Sequence, residues 1–351
     1  MLGGVTLQER QPGATGGLIR SWAEWNYSGL EAKPEWPAFR DLVMPLRGTP
    51  GRLANDLSDE NTRLGSSRIF ESVPHLTGKP ILEGGLVNSA AGALFAYYIQ
   101  SETSQSCAGY PPMMMPASFN ITNATRHLEL FNVKHLMARW PVLQQALAAS
   151  PDWRRVGSAG GWDLYELLTH DGRYVQVLDE DPPALVTADW KRRALDWFYE
   201  PAALSAPVLL VPPGGRVPAG TRSITQAEFA ERIATAGTGT RLPIAPRPST
   251  FSPVLSESVT DDRIVFETEA IGRPHMIKIN WFPNWRVSGA DAVYRVTPDF
   301  LLVVPRQRHV ELTFGLTPVD RIGLALAWLG WGVIAIVLVR RTWRWVRRLP
   351  A

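Results

Sequence analysis

Cysteine is almost absent from this chain: Cys107 stands alone among 351 residues. A single thiol builds neither a disulfide framework nor a cysteine-rich metal site, so packing and hydrogen bonds must hold the fold together. Net charge is also scarce. The formal value is +3, and Arg340, Arg341, Arg344, Arg347 and Arg348 alone supply +5, which leaves −2 for the rest of the chain. A pI of 9.1 therefore does not describe a polyanion-binding surface, and nucleic acid is not an expected partner.

Catalytic signatures are missing as well. The six histidines show no HExxH or paired spacing, Ser66-Ser67 is no G-x-S-x-G elbow, and Gly84-Gly85 lacks the lysine and hydroxyl of a phosphate loop. Glu60, Glu71 and Glu83 have no spacing that would bring two carboxylates together. The acidic loop Ser58 to Asn61 lacks the glycine and distal glutamate of a calcium loop and reads as a solvated turn. No catalytic residue, metal or cofactor is expected. Met1 to Gly17 contain no apolar h-region, so no secretory signal is expected there. Either the chain is tail-anchored, with its folded part in the cytoplasm and five arginines translocated against the charge rule, or it is the C-terminal piece of a larger polytopic protein exported by upstream helices or a partner. The charge rule favours the second.

What the chain does contain is one long apolar run. Ile322 to Val339 has neither charge nor proline, and as a helix it spans about 27 Å, close to the hydrocarbon thickness of a bilayer. The five arginines follow it, with Trp343 and Trp345 where an aromatic belt sits. Arg340, Arg341, Trp343, Arg344, Trp345, Arg347 and Arg348 are thus the expected membrane-interface residues, and lipid is an expected partner. The positive-inside bias puts the tail in the cytoplasm and the bulk of the chain outside.

Fourteen tryptophans and 29 prolines favour a loop-rich, β-containing fold over a helical bundle. Helices are expected over Pro37 to Leu46, Leu86 to Gln100, Ala124 to Phe131, Trp140 to Ala149 and Asp189 to Tyr199. Strands are expected over Gly51 to Leu57, Arg68 to Pro74, Val133 to Ala138 and Val208 to Val211. Trp162 to Leu168 and Tyr174 to Leu178 read as a pair across the turn His170 to Gly172. His135, inside VKHLMA, reads as a satisfied core residue.

Gly237 to Ser252 is rich in Gly, Pro, Ser and Thr and reads as a linker. Beyond it lie six short β-branched and aromatic runs: Arg263 to Glu269, Met276 to Phe282, Arg286 to Ser288, Ala292 to Val296, Phe300 to Val304 and His309 to Phe314. Their regular spacing argues for a small sandwich. The expected class is α+β: an extracytoplasmic α/β domain over 1–236, a linker over 237–252, a β-sandwich over 253–318, a transmembrane helix over 319–341 and a basic tail over 342–351.

Tryptophan faces stack on sugars as well as filling cores. Trp25, Tyr27, Trp281 and Trp285, with Glu83, are the candidate glycan contacts. Two stretches carry a family likeness: WNYSGLEAK with GRLAND, SSRIFESVPHLTGKPILEGG and LELFNVKHLMAR, then HMIKINWFPNWRVSGADAVYRVTPDFLLVVPRQRHVELTF leading into the apolar run. Together they resemble the C-terminal periplasmic region and last helix of bacterial polytopic membrane proteins of the YfhO type, related to GT-C glycosyltransferases; some members are labelled 6-pyruvoyl-tetrahydropterin-synthase-related membrane proteins.

The resemblance implies sugar transfer from polyprenyl-phosphate donors to envelope acceptors, with the catalytic aspartate between early membrane helices that this sequence lacks. The chain would then be the non-catalytic portion of such a protein in a bacterial inner membrane. It would bind a glycan or acceptor, or pack against a polytopic membrane subunit or missing N-terminal half. A self-sufficient membrane-anchored binding or scaffold protein is the alternative.

Overall fold

The computed structural model describes residues 27–64, 68–82, 91–105, 117–236 and 254–346. The expected linker over 237–252, the helix start over 86–90 and Cys107 lie outside them. The fold is mixed α+β, with three sheets and a C-terminal apolar helix.

Helix α1, Trp36–Val43, opens on a proline in its first turn and buries Phe39, Leu42 and Val43. That spacing is one helical face. β1, Arg52–Asn55, follows. The strand expected over Arg68 to Pro74 is instead a 3₁₀ turn, Ile69–Ser72, that runs into α2, Val73–Thr77. Pro74 suits a first helical turn, and Phe70, Val73 and Thr77 bury at helical rather than alternating spacing. α3, Ala93–Thr103, is buried almost throughout, which is why its composition shows no amphipathic stripe. α4, Ile121–Leu130, is capped by the Asn120 side chain, which accepts the Asn123 N–H at 3.1 Å.

β2, Val133–Ala138, is buried at every position, as a central strand covered on both faces must be. α5, Pro141–Ala149, leads to β3, Trp153–Ala159, and β4, Trp162–Leu167. These two are joined by Gly160-Gly161, both at positive φ, a tight hairpin turn that only glycine fits without strain. The first sheet has the order β1-β2-β4-β3, with β1 and β2 parallel. Ile81 adds a parallel bridge on the far side of β1.

Next come β5, Val175–Val177; β6, Ala184–Val186; α6, Trp190–Phe198, capped by Asp189; β7, Leu209–Val211; β8, Ser223–Ile224; and α7, Gln226–Ala236. After the linker follow β9, Val254–Val259; β10, Arg263–Thr268; β11, His275–Asn280; β12, Trp285–Ser288; β13, Tyr294–Val296; β14, Phe300–Val303; and β15, His309–Phe314. α8, Pro318–Val346, ends the described chain.

The second sheet is β5-β11-β14-β13-β7-β6-β8, and the third is β12-β15-β10-β9. The expected pairing of β4 with β5 does not form. β4 lies between β2 and β3, while β5 runs antiparallel to β11, about a hundred residues later. The strands after residue 253 do face each other as two sheets. One of those sheets is completed by β5, β6, β7 and β8 from before the linker, so it is not built from the later strands alone.

The second sheet is the wall between two cores. Along β14, Phe300 and Leu302 face a large cluster with Phe95, Leu128, Trp197 and Phe198, while Leu301 and Val303 face Ile264, Phe266 and Leu312 of the third sheet. A period of two is what a strand buried on both faces shows. A third cluster, around Phe39, Leu53, Phe70 and Trp162, packs α1 and α2 on the first sheet. His135 is buried on β2 as expected of a core residue, but its Nδ1 has no hydrogen-bond partner.

Candidate functional site

Strand alternation fixes the central side chain of this site. On β13, Tyr294 and Val296 join the large core, so Arg295 between them must leave by the opposite face. There its guanidinium carbon lies 3.8 Å from the centre of the Trp190 ring and 4.1 Å from that of Trp281. Trp190 opens α6 behind the Asp189 cap, and Trp281 directly follows β11. The cation is thus held between two indoles from separate elements. Attraction to one such face contributes about 0.5–1 kcal/mol when exposed and about 2 or more when desolvated.

Behind the stack is Asp299, almost fully buried, with Oδ1 3.1 Å from Arg295 Nε. Neither carboxylate oxygen accepts a well-aligned hydrogen bond. Burial pushes Asp299 up to about 7, against the pull of Arg295 and Lys191. Burial also lowers Arg295, against the opposing effect of Asp299. The Trp281 N–H donates to the Asp299 carbonyl at 2.6 Å, which ties the indole's backbone to the β13–β14 connection. Among the described residues none accepts a hydrogen bond from either terminal nitrogen of Arg295. The side chain is 15% exposed, and a guanidinium whose terminal nitrogens have no described acceptor is suited to bidentate contact with a carboxylate or phosphate.

A second polar cluster lies at the carboxyl ends of β1 and β2. The buried Asp56 carboxylate accepts the backbone N–H of Arg139 at 3.1 and 3.2 Å and of Trp140 at 2.7 Å, at the start of α5. Burial pushes Asp56 up to about 6, opposed by those hydrogen bonds and by Arg139. Arg139 stacks 4.1 Å over Trp162 and pairs with Glu35 at 3.0 Å. Its cation is therefore already committed, and the cluster anchors a helix rather than presenting a ligand-binding group.

Two other buried ionisable groups, His127 and Lys79, have internal partners. His127 places Nδ1 2.7 Å from Glu102 and Nε2 2.9 Å from the Phe198 carbonyl, with both side chains inaccessible. Lys79 is bound by Thr49 and Pro50, and burial pushes it down to about 7. A cavity of about 200 Å³ near Asp291, Arg306 and Thr221 is smaller than the 300–1,000 Å³ typical of ligand pockets. Among the described residues no group of three or more His, Cys, Asp or Glu side chains has metal-binding geometry.

Of the expected glycan contacts, Trp25 and Glu83 lie outside the described residues. Tyr27 is almost wholly exposed. Trp285 is a core residue, edge-on to Phe314 at 5.3 Å, and offers no free face. Trp281 sits at the Arg295 stack, but the face towards Arg295 is covered.

Sequence reading missed Trp190, Arg295 and Asp299. Their single local mark is an arginine between two inward-facing residues of a strand. Of the expected membrane-interface residues, Arg340, Arg341 and Trp343 are exposed on α8, Arg344 and Trp345 lie on its last turns, and Arg347 and Arg348 lie outside the described residues. Pro318–Arg341 is a helix long and apolar enough to cross a membrane, and none of its most apolar window is buried. No family model, curated protein or solved structure matches the chain.

Proposed function

We propose that this chain is the membrane-anchored, extracytoplasmic and non-catalytic portion of a glycosyltransferase-like cell-envelope protein of the YfhO type, and that it binds an acidic or phosphate-bearing glycan. The observation that carries the binding role is the Arg295 guanidinium, stacked against Trp190 and Trp281, its side chain 15% exposed and its terminal nitrogens without a described acceptor. The guanidinium suits a glycan's anionic group. The unburied apolar helix supports anchoring, and the arginines after it support an outer location for the folded part. Glycosyl transfer itself would lie in a separate membrane-embedded portion.

Two experiments test this reading. Reporters after Ala351 and near Gly239 should report cytoplasm and exterior respectively; a cytoplasmic signal near Gly239 removes the physical basis for an envelope role. The full chain in nanodiscs should bind acidic glycans on an array. Arg295→Gln should weaken that binding about tenfold or more, the effect of losing a charge-assisted pair worth about 1.5–3 kcal/mol. Trp281→Ala should weaken it with unchanged near-UV circular dichroism. Binding indifferent to both substitutions refutes the site. An exterior signal with no glycan bound by any variant would favour the self-sufficient scaffold instead.

A further inference from the structure

α8 does not hang from a free linker. β15 ends at Phe314 and α8 begins at Pro318, and the residues between are tied to the folded part. The Gly315 N–H donates to the Asn284 carbonyl at 3.1 Å, and Asn284 Nδ2 returns a bond to the Gly315 carbonyl at 2.7 Å. Asn284 Nδ2 also reaches Asp320 Oδ2 at 3.0 Å, and Arg286 donates to the Leu316 carbonyl at 3.2 Å. Thr317 and Asp320 close a reciprocal capping box: the Thr317 N–H donates to Asp320 Oδ2 at 2.7 Å, and the Asp320 N–H to Thr317 Oγ1 at 3.2 Å. The first turn of the helix is thereby fixed to β12 and β15. If the helix stands in a bilayer, one face of the folded part must meet the lipid headgroups.

That face is apolar where it adjoins the clamp. Phe282 is 49% exposed, Phe314 42% and Leu316 51%, and the two phenyl rings lie 5.9 Å apart. Grouped exposed aromatics mark a contact surface more often than isolated ones do. Arg286 and Arg321, both exposed, flank them, as does the acidic β9–β10 turn, where the Asp262 carbonyl accepts the Phe314 N–H at 2.7 Å. The 24-residue span is about 36 Å long against roughly 30 Å of hydrocarbon, so its first turn falls in the headgroup layer beside these residues.

We infer that Phe282, Phe314 and Leu316 seat in the headgroup–acyl boundary and hold the folded part at one orientation on the bilayer. This rests on α8 crossing the membrane, as proposed above. Lipid is the occupant because the patch is continuous with the lipid-facing helix and shares its first turn.

Nitroxide labels on the full chain in phosphatidylcholine/phosphatidylglycerol vesicles test it, in a Cys107→Ala background. Phe282→Cys is compared with Val156→Cys, on exposed β3, and Val333→Cys, within the apolar span. Collision with a hydrated nickel chelate should be roughly tenfold lower at position 282 than at 156, because hydrocarbon excludes water, while collision with oxygen stays high. A position 282 as open to nickel as position 156, with 333 in lipid, overturns this inference alone. Protection from both reagents means that protein covers the patch, and overturns it too. A water-exposed position 333 overturns the anchor as well.

Discussion

Replacing Asp56 by asparagine should remove a pH dependence of stability that this one buried side chain creates. Burial raises its pKa from 3.8 to about 6, so the folded protein holds the proton more tightly than the unfolded chain does. The stabilisation from this group is therefore fully present below about pH 4 and is lost as pH rises through 6. A shift of about two units at about 1.4 kcal/mol each amounts to about 3 kcal/mol, most of it lost between pH 4 and pH 7. Asparagine cannot ionise, so Asp56→Asn lacks that slope.

It has a cost of its own, because one amide oxygen now faces the two N–H donors of Arg139 and Trp140. That loss is about 1–2 kcal/mol at every pH. The variant should be clearly the less stable at pH 4 and should match or exceed the parent at pH 7. Guanidinium unfolding of the full chain in detergent micelles, followed by tryptophan fluorescence at several pH values, measures the difference. A gap constant with pH would show that burial does not govern the carboxyl group. A gap that widens towards pH 7 would show that the two N–H donors outweigh burial.

Three other outcomes are expected. Gly289 lies at positive φ, and a Cβ there would strike the His309 carbonyl; Gly289→Ala should cost more than 2 kcal/mol in a thermal melt, whereas Gly48→Ala, with open space around it, should cost about 1 kcal/mol. Burial lowers His135 and His170 to about 4, so their contribution is lost as pH falls from about 6.5 towards 4; His170→Gln should flatten the acid limb of an unfolding profile. Asn284→Ala removes the two side-chain bonds that Asn284 makes to Gly315 and Asp320 and should broaden the distance distribution between spin labels at Val156→Cys and Val333→Cys without lowering the helical signal.

The elements that could be read from sequence are those marked locally. α1 has its proline and helical stripe, α6 its Asp189 cap, and β10 to β15 their short β-branched and aromatic runs between turn residues. The β3–β4 hairpin also carries a local mark, in Gly160-Gly161, but His170 to Gly172 is an equally good turn signal and competes with it. The true partner of β5 had no local mark, since nothing in VQV names a strand a hundred residues later. The same distance hid the candidate site. Trp190, Trp281 and Arg295 are separated by up to about a hundred residues in sequence and meet only in the folded chain. Trp281 and Trp285 look equivalent in sequence, yet one flanks a cation and the other lies in the core.

The weave of the second sheet has a temporal side. β5 gains its neighbour β11 only after about a hundred more residues have been made, roughly 5–20 s at ordinary ribosome speed. β7 likewise waits for β13, and β15, which completes the third sheet, precedes α8 by only three residues. For most of its synthesis the chain therefore carries unpaired strand edges, the state in which aggregation competes with folding. The fold closes only as the apolar helix α8 begins to be made, so the three sheets are complete only once nearly all of the described chain has been synthesised.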